Sequence, residues 1–325
     1  MRKKIVVLAV GLLWLGAVLA TVTLAADYPT KPIELFCPYT AGSSLDIMAR
    51  LVAEIAPTYL GQPIVVINKP GAGGSLAAAE VISAKPDGYK LVTQGQAYFA
   101  TTVKTQKVPF DPNDLVPLAN MMAWRLALVV RADSPWMTLN DLLDYAKKNP
   151  AQLNWSHSGR GIPPHIIVLH IFKKAGVQTI DLPFKGSPEA LTALLGGHVH
   201  AASIPYGTGR DQIRAGKIRL LAFYAEQRYS DQPNIPCIVE LGFPDAAKLM
   251  TYGAFYIHKN TPENIKTYLI DIFKKIYDDP RFKRLPDIGG EDPKFGGPEF
   301  VRLTIKNTEE IGIPILKEIG LWAEK

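Results

Sequence analysis

The chain is 325 residues long, 47% hydrophobic and 20% charged, with 36 Lys and Arg against 30 Asp and Glu, a formal charge of +6. That apolar fraction excludes a disordered, collagen-like or low-complexity protein, and the length suits about two domains, each able to bury a core. The basic excess suggests a polyanion or a membrane surface as partner until the charge is located along the chain.

Arg2, Lys3 and Lys4 precede an apolar run from Ile5 to about Leu19, and small residues follow at Ala20 and from Thr23 to Ala26. This is the layout of a cleavable signal peptide over 1–25, since the run is shorter than the roughly twenty residues a membrane span needs. Cleavage removes three cations and no acid, leaving 33 basic against 30 acidic side chains, or +3. The charge then no longer argues for nucleic acid, and no arginine–aromatic stripe revives that reading. Export places Cys37 and Cys237 in an oxidising compartment, as one long-loop disulfide or as two thiols. The apolar stretch around each favours buried thiols.

Ile33–Cys37 reads as a buried strand stopped by Pro38. After the turn Tyr39–Ser44, Leu45, Met48, Ala49, Val52, Ala56 and Tyr59 line one face of a helix that Pro57 and Gly61 end. Ser43 and Ser44 suit its cap, and Asp46 its first turn. Ile64–Ile67 is a second strand, followed by the Gly-rich turn Asn68–Ser75, an Ala-rich helix to about Ala84 and a third strand around Leu91 and Val92. Short connections between alternating strands and helices predict a largely parallel sheet. The alternation returns: strands at Leu126–Val130, Ile180–Pro183, Val199–Ile204 and Arg219–Phe223, helices at Thr138–Lys148, His165–Ala175 and Pro188–Leu195, and a turn after Leu153–Trp155. More helix is expected from Pro262 onward. The fold class is α/β with two such units.

Three turns lead into helices: Thr40–Ser44, Gly71–Ser75 and Ser158–Gly161. Each offers backbone N–H groups and a positive helix end to an anion, and small residues let the anion approach. Gly71-x-Gly73 lacks the third glycine of a dinucleotide site and the Lys-Ser/Thr of a phosphate loop. No Gly-x-Ser-x-Gly or His-Glu-x-x-His occurs and the two cysteines lack metal spacing, so neither an enzyme nor a cofactor is expected. His198 and His200 alternate on a strand, a pattern more often structural than metal-binding.

The runs Tyr28–Ile33, Pro38–Arg50, Leu60–Gly74, Lys85–Leu91, Ser158–His165, Leu182–Ser187, Gly216–Ala222 and Ile235–Gly242 occur in one order along the chain. Together they resemble the substrate-binding proteins of tripartite tricarboxylate transporters, the Bug family. The resemblance implies a periplasmic, monomeric, two-domain clamp of the type II periplasmic-binding-protein kind, with one domain from 26–125 plus 250–325 and the other from 126–249. Hinge strands are expected near 123–131 and 252–258. It implies a small organic carboxylate as ligand and a two-component integral-membrane permease as partner. Thr40, Ala41, Gly42, Ser43, Ser44 and Asp46 would grip the carboxylate, while His157, Ser158, Gly159, Arg160, Gly161, His165, Lys185, Gly186 and Tyr206 would line the facing wall. No metal and no nucleic acid are implied.

Several residues depart from the family's habits. His157 stands where a small residue is usual, Arg160 where an uncharged one is, His198 and His200 where Gln and Asp are, and Ser43 where a second glycine is common. Arg160 or His157 is therefore expected to meet a second polar group of the ligand, such as a distal carboxylate. The aromatics Tyr98, Phe99 and Tyr206 suit an aromatic acid if they face the cleft, and core packing otherwise. A carboxylate sensor or scavenger on the same clamp, acting through a membrane signalling partner, is the alternative to a transport receptor, with a secreted enzyme behind both.

Overall fold

A computed structural model describes residues 28–105 and 107–322. The expected signal peptide, 1–25, lies outside the described residues.

The first unit runs β1 (Ile33–Cys37), α1 (Ser44–Ile55), β2 (Ile64–Asn68), α2 (Ser75–Ile82) and β3 (Lys90–Gly95). Leu45, Met48, Ala49 and Val52 are all fully buried, as their spacing on α1 predicts. The helix stops at Ile55 because Pro57 lacks the N–H an α-helix needs there, so Tyr59 falls on a separate turn, Pro57–Leu60, closed by Gly61 at φ +68°. β4 (Leu115–Ala123) then passes through Trp124 and Arg125 straight into β5 (Leu126–Arg131).

The second unit continues with α3 (Leu139–Lys148), β6 (Asn154–His157), α4 (Pro163–Lys174), β7 (Ile180–Pro183), α5 (Ser187–Leu195), β8 (Ala201–Pro205), α6 (Tyr206–Arg214) and β9 (Ile218–Phe223). Thr138 caps α3 in a reciprocal box with Asp141. Leu153–Trp155 feeds a strand, β6, where the sequence suggested only the approach to a turn. The chain returns through β10 (Tyr252–His258), α7 (Glu263–Asp278), β11 (Asp292–Gly296) and α8 (Pro298–Glu318).

Two sheets result, ordered β11-β4-β10-β3-β1-β2 and β7-β6-β8-β5-β9. They are mixed, not largely parallel. β1, β2 and β3 are parallel in one and β6, β7 and β8 in the other. In each, the strand arriving from the other sheet runs antiparallel to its neighbours: β10 against β3 and β4, β5 against β8 and β9. A strand that enters a sheet from its far side runs opposite to strands that end on that side.

The register shows where those entries lie. Gly253, near the start of β10, pairs with Gly95 at the end of β3, and Leu126, the start of β5, pairs with Pro205 at the end of β8. The C-terminal ends of the parallel strands in both sheets therefore face the crossover, where Trp124 donates to the Thr251 carbonyl at 2.8 Å. Ligands of α/β sheets bind at that edge. Cys37 and Cys237 are free, buried thiols in separate core clusters. Burial pushes the Cys37 thiol up to about 11.

Candidate ligand-binding site

The turn between β1 and α1 is held from beneath. Gly42 takes φ +83° and its N–H donates to Asp46 Oδ2 at 2.8 Å. Arg50 Nε donates to the same oxygen at 2.9 Å, and Asn68 Nδ2 donates to Oδ1 at 2.7 Å and to the Tyr39 carbonyl at 3.0 Å. Asp46 is 1% exposed, with both oxygens occupied. Burial alone would raise its pKa, but the hydrogen bonds from Arg50, Gly42 and Asn68 prevail and lower it. Asp46 is thus the tether of the loop, standing behind the surface that a ligand would meet. Thr40, Ala41 and Gly42 are exposed, and Ser43 and Ser44 half-buried. The Ser43 hydroxyl caps the Asp46 N–H at 3.4 Å, which leaves the N–H groups of Ser44 and Leu45 without an intrahelical partner.

The turn between β6 and α4 is built differently. Its helix begins Pro163-Pro164, two residues with no N–H, and Ile162 supplies no side-chain cap. The expected anion-binding helix end is therefore absent here, because the first donors of the helix are missing. Two buried imidazoles occupy the space instead. His157 and His165 stack with ring centroids 4.2 Å apart, and their Nε2 atoms lie 3.3 and 3.4 Å from Asp181 Oδ2. Arg160 Nη2 reaches that oxygen at 3.2 Å while its side chain is 49% exposed.

His157, His165 and Asp181 have metal-ligand chemistry, with one ligand atom of each within 4.8 Å of the others. His165 Nδ1, however, accepts from the Gly161 N–H at 3.0 Å, so its neutral ring carries the proton on Nε2, the atom a metal would need bare. Arg160 also already neutralises Asp181. The group reads as a hydrogen-bonded lock. Burial, then repulsion from His157, lowers the His165 pKa to about 4, and burial lowers that of His157. Ser158 and Gly159 are half-buried and Gly161 is buried against Leu316 and Thr105. The turn after β7 lies alongside, Phe184 N–H donating to the His157 carbonyl at 2.9 Å; Lys185 there is exposed and Gly186 half-buried.

The remaining sequence candidates have structural surroundings. In the Gly71–Ser75 turn, Gly74 at φ +99° packs so closely that a Cβ would lie 2.6 Å from the Gln94 amide. Tyr98 is buried with its hydroxyl 3.0 Å from Ser75 Oγ, and Phe99 packs on Tyr256. Asn154 binds both His198 and His200 at the edge of the second sheet remote from the crossover. Tyr206 is 6% exposed, its N–H donating to the Arg125 carbonyl and its hydroxyl accepting from Gln232.

Sequence reasoning missed the group at the crossover. Glu291, fully buried, accepts from the Ser44 hydroxyl at 2.8 Å and from the Arg125 backbone N–H at 2.9 Å. The Arg125 guanidinium bonds Asp292 and Asp231 and lies over the Tyr229 ring. Gly207, at the start of α6, lies so near Gly289 that a Cβ would approach its carbonyl to 2.6 Å. The starts of α1 and α6 thus converge on Glu291.

A two-sheet α/β protein with its loop sites facing one crossover has known counterparts. Residues 48–321 match the family described as the tripartite tricarboxylate transporter family receptor, TctC. The chain belongs to this family. A Cupriavidus necator relative, "UPF0065 protein in gbd 5'region", is 37% identical over 265 residues, 80% of this chain and 78% of its own length. A Rhodopseudomonas palustris protein solved with adipate superposes with TM-score 0.78 at 26% identity, covering 90% of this chain and 99% of that one. MatC from the same species, solved with bound malate, gives 0.70 at 25% identity over 88% and 100% of the two chains. TctC-family members are periplasmic solute receptors rather than enzymes, and these two structures each hold a carboxylate. No described helix is long and apolar enough to cross a membrane.

Proposed function

We propose that the protein is an extracytoplasmic receptor that binds a small organic carboxylate between its two sheets and delivers it to a two-component integral-membrane permease. The observation that carries this is the start of α1: a loop tied down by Asp46, with N–H groups open at the crossover. Preorganised backbone dipoles bind a carboxylate without burying an unpaired cation. The adipate and malate of the two relatives support a dicarboxylate. Residues 26–125 with 250–325 form one lobe and 126–249 the other, except that the end of α8, with Ile315 and Leu316, packs into the second lobe's core; the lobes close about Trp124–Arg125 and Met250–Thr251. A ligand touching both lobes favours the closed form by its extra contacts. Arg160 supplies the second contact, leaving Asp181 for a distal carboxylate. Export through the leader 1–25 places the receptor in the periplasm, where it acts as a monomer.

Native mass spectrometry of the mature protein, followed by a thermal-shift panel of di- and tricarboxylates, acidic amino acids and aromatic acids, tests this reading. A ligand at a hundred times its dissociation constant should add about 2.7 kcal/mol of stability. If no organic anion copurifies and none raises the midpoint, the receptor reading fails.

A further inference from the structure

Glu291 stands where the starts of α1 and α6 meet, and its hydrogen bonds dictate where protons point. Oε2 accepts from the Arg125 backbone N–H, and Oε1 accepts from the Ser44 hydroxyl. The nearby Arg125 guanidinium is committed to Asp292 and Asp231. Asp292 adds a like charge, while buried Tyr206, half-buried Tyr229 and the backbones of Gly207 and Gly290 enclose the group. Burial holds the Glu291 carboxyl up at about 7.

A hydroxyl has one proton to give. While Glu291 is ionised, Ser44 spends that proton on Oε1 and shows an arriving carboxylate a lone pair. Once Glu291 takes a proton from water, its own O–H donates to Ser44 Oγ, and the Ser44 hydroxyl is free to donate outward beside the N–H groups at the start of α1. We propose that Glu291 makes carboxylate binding proton-coupled, the receptor gaining a proton on Glu291, relayed through Ser44, as the anion binds. One positive and one negative charge enter together, so the net charge of the junction does not change. This deepens the carboxylate-receptor reading and rests on it.

Isothermal titration of malate or adipate in two buffers of different ionisation enthalpy counts the protons taken up. Near pH 7 the wild-type protein should gain about half a proton per anion, and its affinity should fall about tenfold from pH 6 to pH 8. In Glu291→Gln the amide donates to Ser44 as the protonated acid would, while its oxygen still accepts from Arg125. That variant should bind at pH 8 as tightly as wild type does at pH 6, with no uptake. Ser44→Ala should lose the pH dependence with Glu291 intact. A purely structural Glu291 would instead give a glutamine variant that binds more weakly at every pH, and that result overturns the proposal. So does wild-type binding without uptake, or uptake that persists in Glu291→Gln. If the wild-type protein binds no acid of the panel, the receptor reading has failed first and takes this inference with it.

Discussion

The starts of α1 and α4 occupy equivalent places, each after a turn at the C-terminal end of a parallel strand, yet they are built for opposite purposes. α1 opens with serines and exposes backbone donors, and its acidic residue is drawn underneath to hold the turn. α4 opens with two prolines that remove the donors, and the turn ahead of it is packed by imidazoles around one carboxylate. The first leaves backbone donors at its helix start; the second is closed by side chains, with half-exposed Arg160 paired to Asp181. Glycine and small residues before a helix therefore do not define an anion site unless the first helical residues keep their N–H groups.

Three variants press on this contrast. Asp46→Ala should have the largest effect, because it strands the Gly42 N–H, the Asn68 amide and the Arg50 guanidinium at once. Urea unfolding should show a loss of about 3 kcal/mol, and calorimetric titration should find no carboxylate binding. A loss under about 1 kcal/mol with binding intact would remove the tether from the account.

His165 comes next. Between pH 6.5 and about 4 the unfolded chain binds a proton that the folded ring refuses, so stability falls on acidification through that window and is fully present above it. The slope from this group should be at most about 1.4 kcal/mol per pH unit. His165→Gln should flatten the wild-type curve across the same range; parallel curves for the two proteins would contradict the buried neutral imidazole.

Arg160→Ala should act on binding alone. Half-exposed, it adds little to stability, and the melting midpoint should barely move. Affinity for a dicarboxylate should drop about tenfold, while a monocarboxylate of similar size binds as before. Equal losses for both acids would return Arg160 to a role confined to Asp181.

Much of the fold was legible because the parallel strands are short apolar runs between turn residues. The antiparallel entries were not, since strand direction there depends on which sheet the chain has left. β4 was hidden by Pro117, a residue that argues against a central strand, and β11 (Asp-Pro-Lys-Phe-Gly) has no alternation to read. At the site, the loop Thr40–Asp46 could be singled out from its serines and glycine, but the depth of Asp46 could not, because Asn68 and Arg50 close over it only in three dimensions. His157 was read as a ligand contact and is fully buried. Glu291 gave no signal at all: it sits in a charged C-terminal stretch, 247 residues from the serine it accepts from.

α8 has a consequence for how the molecule comes apart. Its Val301 belongs to the core that holds Phe36, Tyr98 and Tyr256, whereas its Ile315 and Leu316 belong to the core that holds Trp155 and Phe172. One rod is thus shared property of two interiors, with Pro314 interrupting its hydrogen bonds near where ownership changes. Melting either interior strips a wall from the other, so the halves should lose structure in one calorimetric transition rather than two.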